Sequence, residues 1–267
     1  MKKIISFIIV IVVFMIFVVQ PYSLSKAYAF DKELQEKVID TAKIAAVLYL
    51  IGRVSNYIGQ GSNNKRQEDR GIIDLTDIKN DKLNNKVIVI DPGHGGHDTG
   101  AIGQRGLKEK DLNLEIALRL YQLLKQNTEA DIYLTRGRDE FVSLNQRSTF
   151  ASSKDTDVYI SIHNNADITG KHHGTETYAH YSTSKNTWAL AWYIHESLVD
   201  NLGFQDRGLK ADNFHVIRET ADINSILLEI GFVSNLHEES ILKQPKTQDA
   251  AASAIYEGIV KYFNENK

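Results

Sequence analysis

The chain has 267 residues, a formal net charge of −3, nine histidines and no cysteine. That length can bury one sizeable core. The near-balanced charge argues against a general nucleic-acid binder, and the lack of cysteine excludes thiolate ligands, a cysteine nucleophile and disulfide staples.

In chain order, the first element is a targeting segment. Lys2 and Lys3 precede an apolar run of 16 residues, Ile4 to Val19, broken only by Ser6. Ala27-Tyr28-Ala29 then supplies the small-x-small pattern that signal peptidase accepts. Residues 1–29 are expected to be a signal peptide or, uncleaved, a membrane anchor; the run is slightly short for a span of ~20 residues. We favour cleavage, which removes three lysines and no acid and takes the charge to −6. Either way the remainder is expected outside the cytoplasm.

Residues 31–60 have helical character, with Leu34, Val38, Ala42, Ala45 and Leu48 at helical spacing. The segment reads as a helix packed on the main domain or a stalk, or as a docking helix for a membrane or a protein partner. Residues 59–85 are polar and rich in Asn, Asp, Lys and Gly, as in a linker. Residues 30–85 are therefore a helical segment and polar linker, and 86–267 the main domain.

From Lys86 strands and helices alternate. The spacing predicts strands over 86–91, 131–135, 157–163, 175–180, 214–218 and 225–231. It predicts helices over 111–126, 144–153, 187–202 and 249–263, with Gly203 closing the third. Such alternation gives an α/β fold: one three-layer domain, a mostly parallel twisted sheet with helices on both faces. The strongest strand is Val87-Ile88-Val89-Ile90, four β-branched residues stopped at Asp91-Pro92-Gly93. His94 follows it, at the carboxyl end, where open α/β sheets place their crevices.

Three more residues fall at comparable places. His163 closes the 157–163 strand, Glu229 ends the apolar run Ile226-Leu227-Leu228, and Glu109 precedes the first helix of the domain. Parallel strands would bring His94, His163 and Glu229 to one edge, with Glu109 reaching it from a loop. Two imidazoles and one carboxylate, with a position left for water, make a common catalytic zinc set. A further acid outside the coordination sphere then serves as proton shuttle. Wide spacing alone leaves metal binding and ordinary surface roles about equally supported.

Four blocks sharpen the reading: Ile90-Asp91-Pro92-Gly93-His94-Gly95-Gly96, Gly106-Leu107-Lys108-Glu109-Lys110-Asp111, Ser161-Ile162-His163-Asn164-Asn165-Ala166 and Leu228-Glu229-Ile230-Gly231-Phe232-Val233-Ser234-Asn235. With Leu134-Thr135-Arg136 between them, and in this order over about 86–264, they resemble the zinc-dependent N-acetylmuramoyl-L-alanine amidases of cell wall and spore cortex. The resemblance implies zinc held by His94, Glu109 and His163, and Glu229 as catalytic acid/base. It implies peptidoglycan as substrate, and a place in the wall or at the outer face of the cytoplasmic membrane of a bacterium. Residues 31–60 are then a candidate dock for an activator.

Lesser roles are expected nearby. Asp91 either accepts a hydrogen bond from a ligand histidine or caps loop amides. Arg136 pairs with a stem-peptide carboxylate or with Asp139, Arg218 serves substrate or structure, and Asn164 donates to substrate or braces its loop. His97 and the remaining six histidines read as solvated or hydrogen-bonded. Competing readings are a zinc carboxypeptidase or deacetylase, and a wall-binding regulatory domain.

Overall fold

The computed structural model describes residues 81–265. The expected signal or anchor (1–29) and all but the last five residues of the helical segment and linker (30–85) lie outside the described residues.

The order of elements is β1 (Val87–Pro92), α1 (Glu109–Asn127), β2 (Asp131–Leu134), α2 (Leu144–Ser152), β3 (Val158–Asn165), β4 (Thr175–His180), α3 (Lys185–Leu202), β5 (Asp206–Asp212), α4 (His215–Arg218), β6 (Asn224–Phe232), α5 (Leu236–Leu242) and α6 (Pro245–Glu265). Six strands form one sheet in the order β2-β1-β3-β6-β4-β5. All neighbours are parallel except β4 and β6, so β4 and β5 run opposite to the other four. Among the described residues no helix is long and apolar enough to cross a membrane.

The period-2 alternation of the strands sorts their side chains between two unequal cores. Ile88, Ile90, Ile160, Ile162, Ile226, Leu228 and Ile230 point to the larger one, which three long helices close. Helix α1 contributes Leu112, Ile116, Leu120 and Leu124, α3 Leu190, Ile194 and Leu198, and α6 Ile255, Ile259 and Tyr262. At ~1.5–3 kcal/mol for each large apolar side chain buried, this face supplies most of the folding free energy. The opposite face carries Val89, Tyr159 and Leu227, covered by Ala151 of α2 with Val216 and Ile217 of α4. Helices α2 and α4 have only nine and four residues. They cover part of their face and leave the rest open.

Three elements depart from the sequence reading. The strand expected over 214–218 is the helical turn α4, whose Val216 and Ile217 fill the smaller core. Two adjacent β-branched residues look like a strand, but here they plug a hole in a face. The strand preceding it, β5, gave no signal: its sequence Asp-Arg-Gly-Leu-Lys-Ala-Asp has no fully buried position and it pairs only with β4, at the sheet edge. Helix α5 was also unforeseen; Asn235 caps it by accepting from the amides of His237 and Glu238.

Candidate active site

β1 leaves the sheet through Pro92, and Gly93 donates its amide to the carbonyl of Ile162 on β3. His94 then adopts φ +60°, a left-handed conformation costly for a side-chain-bearing residue and often concentrated at functional positions. Gly93 is required by proximity: a Cβ there would lie 2.2 Å from the His163 ring. Gly100 is required in the same way, since its Cβ would lie 2.5 Å from Glu109 Oε2 and 2.6 Å from the His94 ring. Two glycines thus hollow out the space into which three side chains converge.

Glu109 is the first residue of α1. The macrodipole there favours a carboxylate. No side chain caps this helix; instead the 99–108 loop folds back, and the carbonyls of Ala101 and Thr99 accept from the amides of Glu109 and Lys110. The Glu109 carboxylate is buried and heavily supplied with donors. Ala101 N donates to Oε2, and Asn164 N and the Asn113 amide group donate to Oε1.

The imidazoles face this carboxylate from both sides. His163 Nδ1 is 3.0 Å from Oε1 and His94 Nε2 is 3.1 Å from Oε2. The two rings meet edge to face at 4.9 Å between centroids. One donor atom from each of His94, Glu109 and His163 lies within 4.8 Å of the others, the one such grouping among the described residues. Burial pushes the Glu109 carboxyl up, but the two imidazoles outweigh it and hold the group far below the usual carboxylate range. Burial likewise disfavours charged His94, yet Glu109 and Asp98 together hold its pKa above normal. The cluster therefore stabilises positive charge at its centre, and its mixed nitrogen and oxygen donors suit a divalent cation such as zinc.

β3 and β6 align His163 with Glu229 as direct register partners, on the open face of the sheet; the register slips just beyond, between His163 and Asn165. Glu229 Oε2 is shielded and has no hydrogen-bond partner among the described residues. Burial pushes the Glu229 pKa well above the carboxylate range, Glu109 and Glu176 add repulsion, and Lys210 opposes them weakly. A carboxyl with an unpartnered oxygen beside this cluster of imidazoles and carboxylate can exchange protons with a molecule bound there.

The lesser expectations resolve differently. Asp91 does not touch a histidine. It is fully buried and accepts from Thr135, Arg147, Tyr159 and Ser161, a brace that ties β1, β3 and α2 together. The carboxylate that meets the His94 ring is Asp98, whose Oδ2 lies 2.8 Å from His94 Nδ1. Arg136 is buried and donates to the carbonyls of Pro92, Gly93 and Lys110, so it holds the His94 loop and is closed to substrate. Asp139 is taken by Lys110 and the Gly96 amide. Arg218 pairs with Glu219 and the His215 ring at the surface. Asn164 braces: its amide group donates to Asn113 Oδ1, and Asn113 in turn donates to Glu109 and to the Gly93 carbonyl. His97 is exposed against Phe141.

The sequence reading missed Asp98, Asn113 and Glu176. Asp98 sits four residues from His94, within the same loop, and that proximity is the signal available for it. Glu176 carried none, because only the reversed direction of β4 places it opposite Glu229.

Residues 88–261 match the family model described as N-acetylmuramoyl-L-alanine amidase. The N-acetylmuramoyl-L-alanine amidase LytC of Bacillus subtilis is 41% identical over 181 residues, 67% of this chain and 36% of LytC, so the similarity spans about a third of that relative. The catalytic domain of CwlV, an amidase of Bacillus (Paenibacillus) polymyxa, superposes with a TM-score of 0.63 at 39% identity, covering 67% of this chain and 98% of that one. The CwlD amidase of Clostridioides difficile, solved in complex with the GerS lipoprotein, gives 0.64 at 31% identity, covering 67% and 99%.

Proposed function

The chain belongs to the N-acetylmuramoyl-L-alanine amidase family, and from that premise we propose that it is a zinc-dependent peptidoglycan hydrolase. Its reaction is cleavage of the amide between the lactyl group of N-acetylmuramic acid and the L-alanine of the stem peptide. The observation that carries the reading is the convergence of His94, Glu109 and His163 with Glu229 in register beside them.

His94, Glu109 and His163 would hold one zinc ion. Bound there, zinc supplies Lewis acidity that polarises an amide carbonyl and acidifies water toward neutral pH. The chain's own groups do the remainder. Glu229 takes a proton from the attacking water and returns it to the departing L-alanine nitrogen, without which an amine is a poor leaving group. Its raised pKa suits a group that must accept and then donate. Asp98 fixes the tautomer of His94 through Nδ1, so that Nε2 faces the site. Asn113 and the Asn164 amide hold one Glu109 oxygen, and the Ala101 amide holds the other.

The protein acts outside the cytoplasm, on the cell wall, after export through residues 1–29. A second feature is favoured by the CwlD relative, which was solved with a lipoprotein bound: activity here depends on a protein activator, with residues 31–60 as its dock.

Mass spectrometry of peptidoglycan digested by wild type and Glu229→Ala tests the reading. The wild type frees L-alanine amino termini and leaves intact lactyl groups, while the variant retains zinc and releases neither. New ends at another bond, a carboxypeptidase or deacetylase product, overturn it. Residues 30–267 that bind zinc yet cut only after a partner is added establish the activator.

A further inference from the structure

Because β4 and β5 run opposite to the other four strands, their first residues lie at the same edge as His94, His163 and Glu229. Glu176 of β4 pairs directly with Glu229 in register and is only 2% exposed. Its Oε1 accepts from Arg207 Nε at 2.6 Å and Lys210 Nζ at 2.5 Å, and its Oε2 from the Tyr178 hydroxyl at 2.6 Å and Asn165 at 3.1 Å. These donors outweigh the effect of burial and hold the Glu176 carboxyl at about 2.

Two cations on one carboxylate leave an excess positive charge, and the way Arg207 is held shows which of its edges is unpaired. Arg207 is bound through Nε alone. Its two Nη groups make no hydrogen bond among the described residues, its side chain is 24% exposed, and its guanidinium carbon lies 5.2 Å from the Phe232 ring centre. A guanidinium clamped at its inner edge, stacked on an aromatic face and free along its outer edge is a fork set for a planar oxyanion.

We propose that Arg207 is the receptor for a carboxylate on the peptide side of the scissile amide, with Lys210 as its second cation and Glu176 as a positioning residue. This inference rests on the amidase reading. The anion must come from the peptide, because the lactyl carboxyl is consumed in the amide itself. The reach agrees. β5 stands two strand spacings from β6, roughly 10 Å; two residues of extended peptide cover ~7 Å, and the arginine side chain spans the difference. The group within that reach is the carboxyl of the second stem residue. Arg136, the arginine that the sequence put forward for such a role, is spent on backbone carbonyls.

The test compares two N-acetylmuramoyl-L-alanyl-D-isoglutamyl peptides, one with the α-carboxyl free and one with it amidated, on the full chain. Steady-state kinetics are read beside calorimetric binding of the corresponding free dipeptides, which needs no turnover. The wild type should bind the free acid about tenfold or more tightly than the amide, as a hydrogen-bonded charge pair allows. Arg207→Lys and Arg207→Met should raise KM and Kd for the acid by about tenfold or more, with the amide nearly unchanged and kcat retained. Glu176→Gln should reduce the acid-to-amide ratio in the same direction by less. A wild type without preference, or variants that weaken both substrates equally, overturns the proposal. A wild type that selects the acid dipeptide yet cleaves neither muramoyl peptide upholds the subsite and overturns the amidase reading instead.

Discussion

The two faces of the sheet divide the labour of the molecule. One is sealed by α1, α3 and α6 and is almost wholly aliphatic. The other holds a small core under α2 and α4, and beyond it a set of acids, imidazoles and cations sits on the same strands. Successive residues of β6 serve opposite ends: Leu228 packs under the long helices while Glu229 lies on the other face, in register with His163. A pleated strand makes this separation automatic, since neighbours in sequence point to opposite faces. The chemistry can therefore contain unpaired and strained groups, because the stability is built on the other face.

The largest expected effect tests that division directly. Glu229→Gln should lower turnover by roughly 10²–10⁴, the range for loss of a general acid–base group. It should leave the melting temperature nearly unchanged, because the amide keeps the shape of the carboxyl and cannot take the negative charge that burial, Glu109 and Glu176 disfavour there. A variant with near-normal hydrolysis would sink the assignment, and one that unfolds would show the faces are not separable. Arg147→Met breaks the comparison from the other direction. It leaves Asp91 buried without its cation, and breaking such a pair costs ~3–5 kcal/mol in denaturant unfolding. The polar face thus contains a buried pair that also braces the His94 loop, since Arg147 donates to the carbonyls of Pro92 and His94.

Leu228→Ala probes the sealed face. The expected loss is ~2–5 kcal/mol of stability with specific activity per folded molecule retained. Below that comes Asp98→Asn, which loses the carboxylate behind His94. Zinc affinity in a chelator competition should fall about ten- to hundredfold with the melting temperature of the metal-free protein little changed. The smallest effect is in pH. Burial raises the Asp91 pKa, but Arg147, Thr135 and Tyr159 together hold it below its ordinary 3.8. A carboxyl depressed in the folded state stabilises fully above the unfolded value. That contribution is lost as the pH falls below 3.8 toward the folded one. Acid titration of Asp91→Asn should lack this component.

How far the sequence could be read follows the same division. The apolar residues of β1, β3 and β6 and the apolar stripes of α1, α3 and α6 were legible, because burial imposes a period on the residue types. Edge strand β5 and turn α4 were not, since one has no buried face and the other contributes only two side chains to a gap. Within the site, His94, Glu109, His163 and Glu229 stood out by motif. Asp91 was misjudged because an acid next to a ligand loop has the same local sequence whether it supports a histidine or a buried arginine.

The ladder of alternating elements, the sealed core and the four motif residues are encoded in short windows, where residue type and spacing carry the signal. Which partner each polar group takes was set by the three-dimensional arrangement: Asp98 rather than Asp91 behind His94, Arg136 on backbone carbonyls, and Arg207 on the Glu176 carboxylate that lies opposite Glu229. Those choices depend on strand order and direction. The reversal of β4 and β5 joins residues more than fifty positions apart in contacts that no local pattern records.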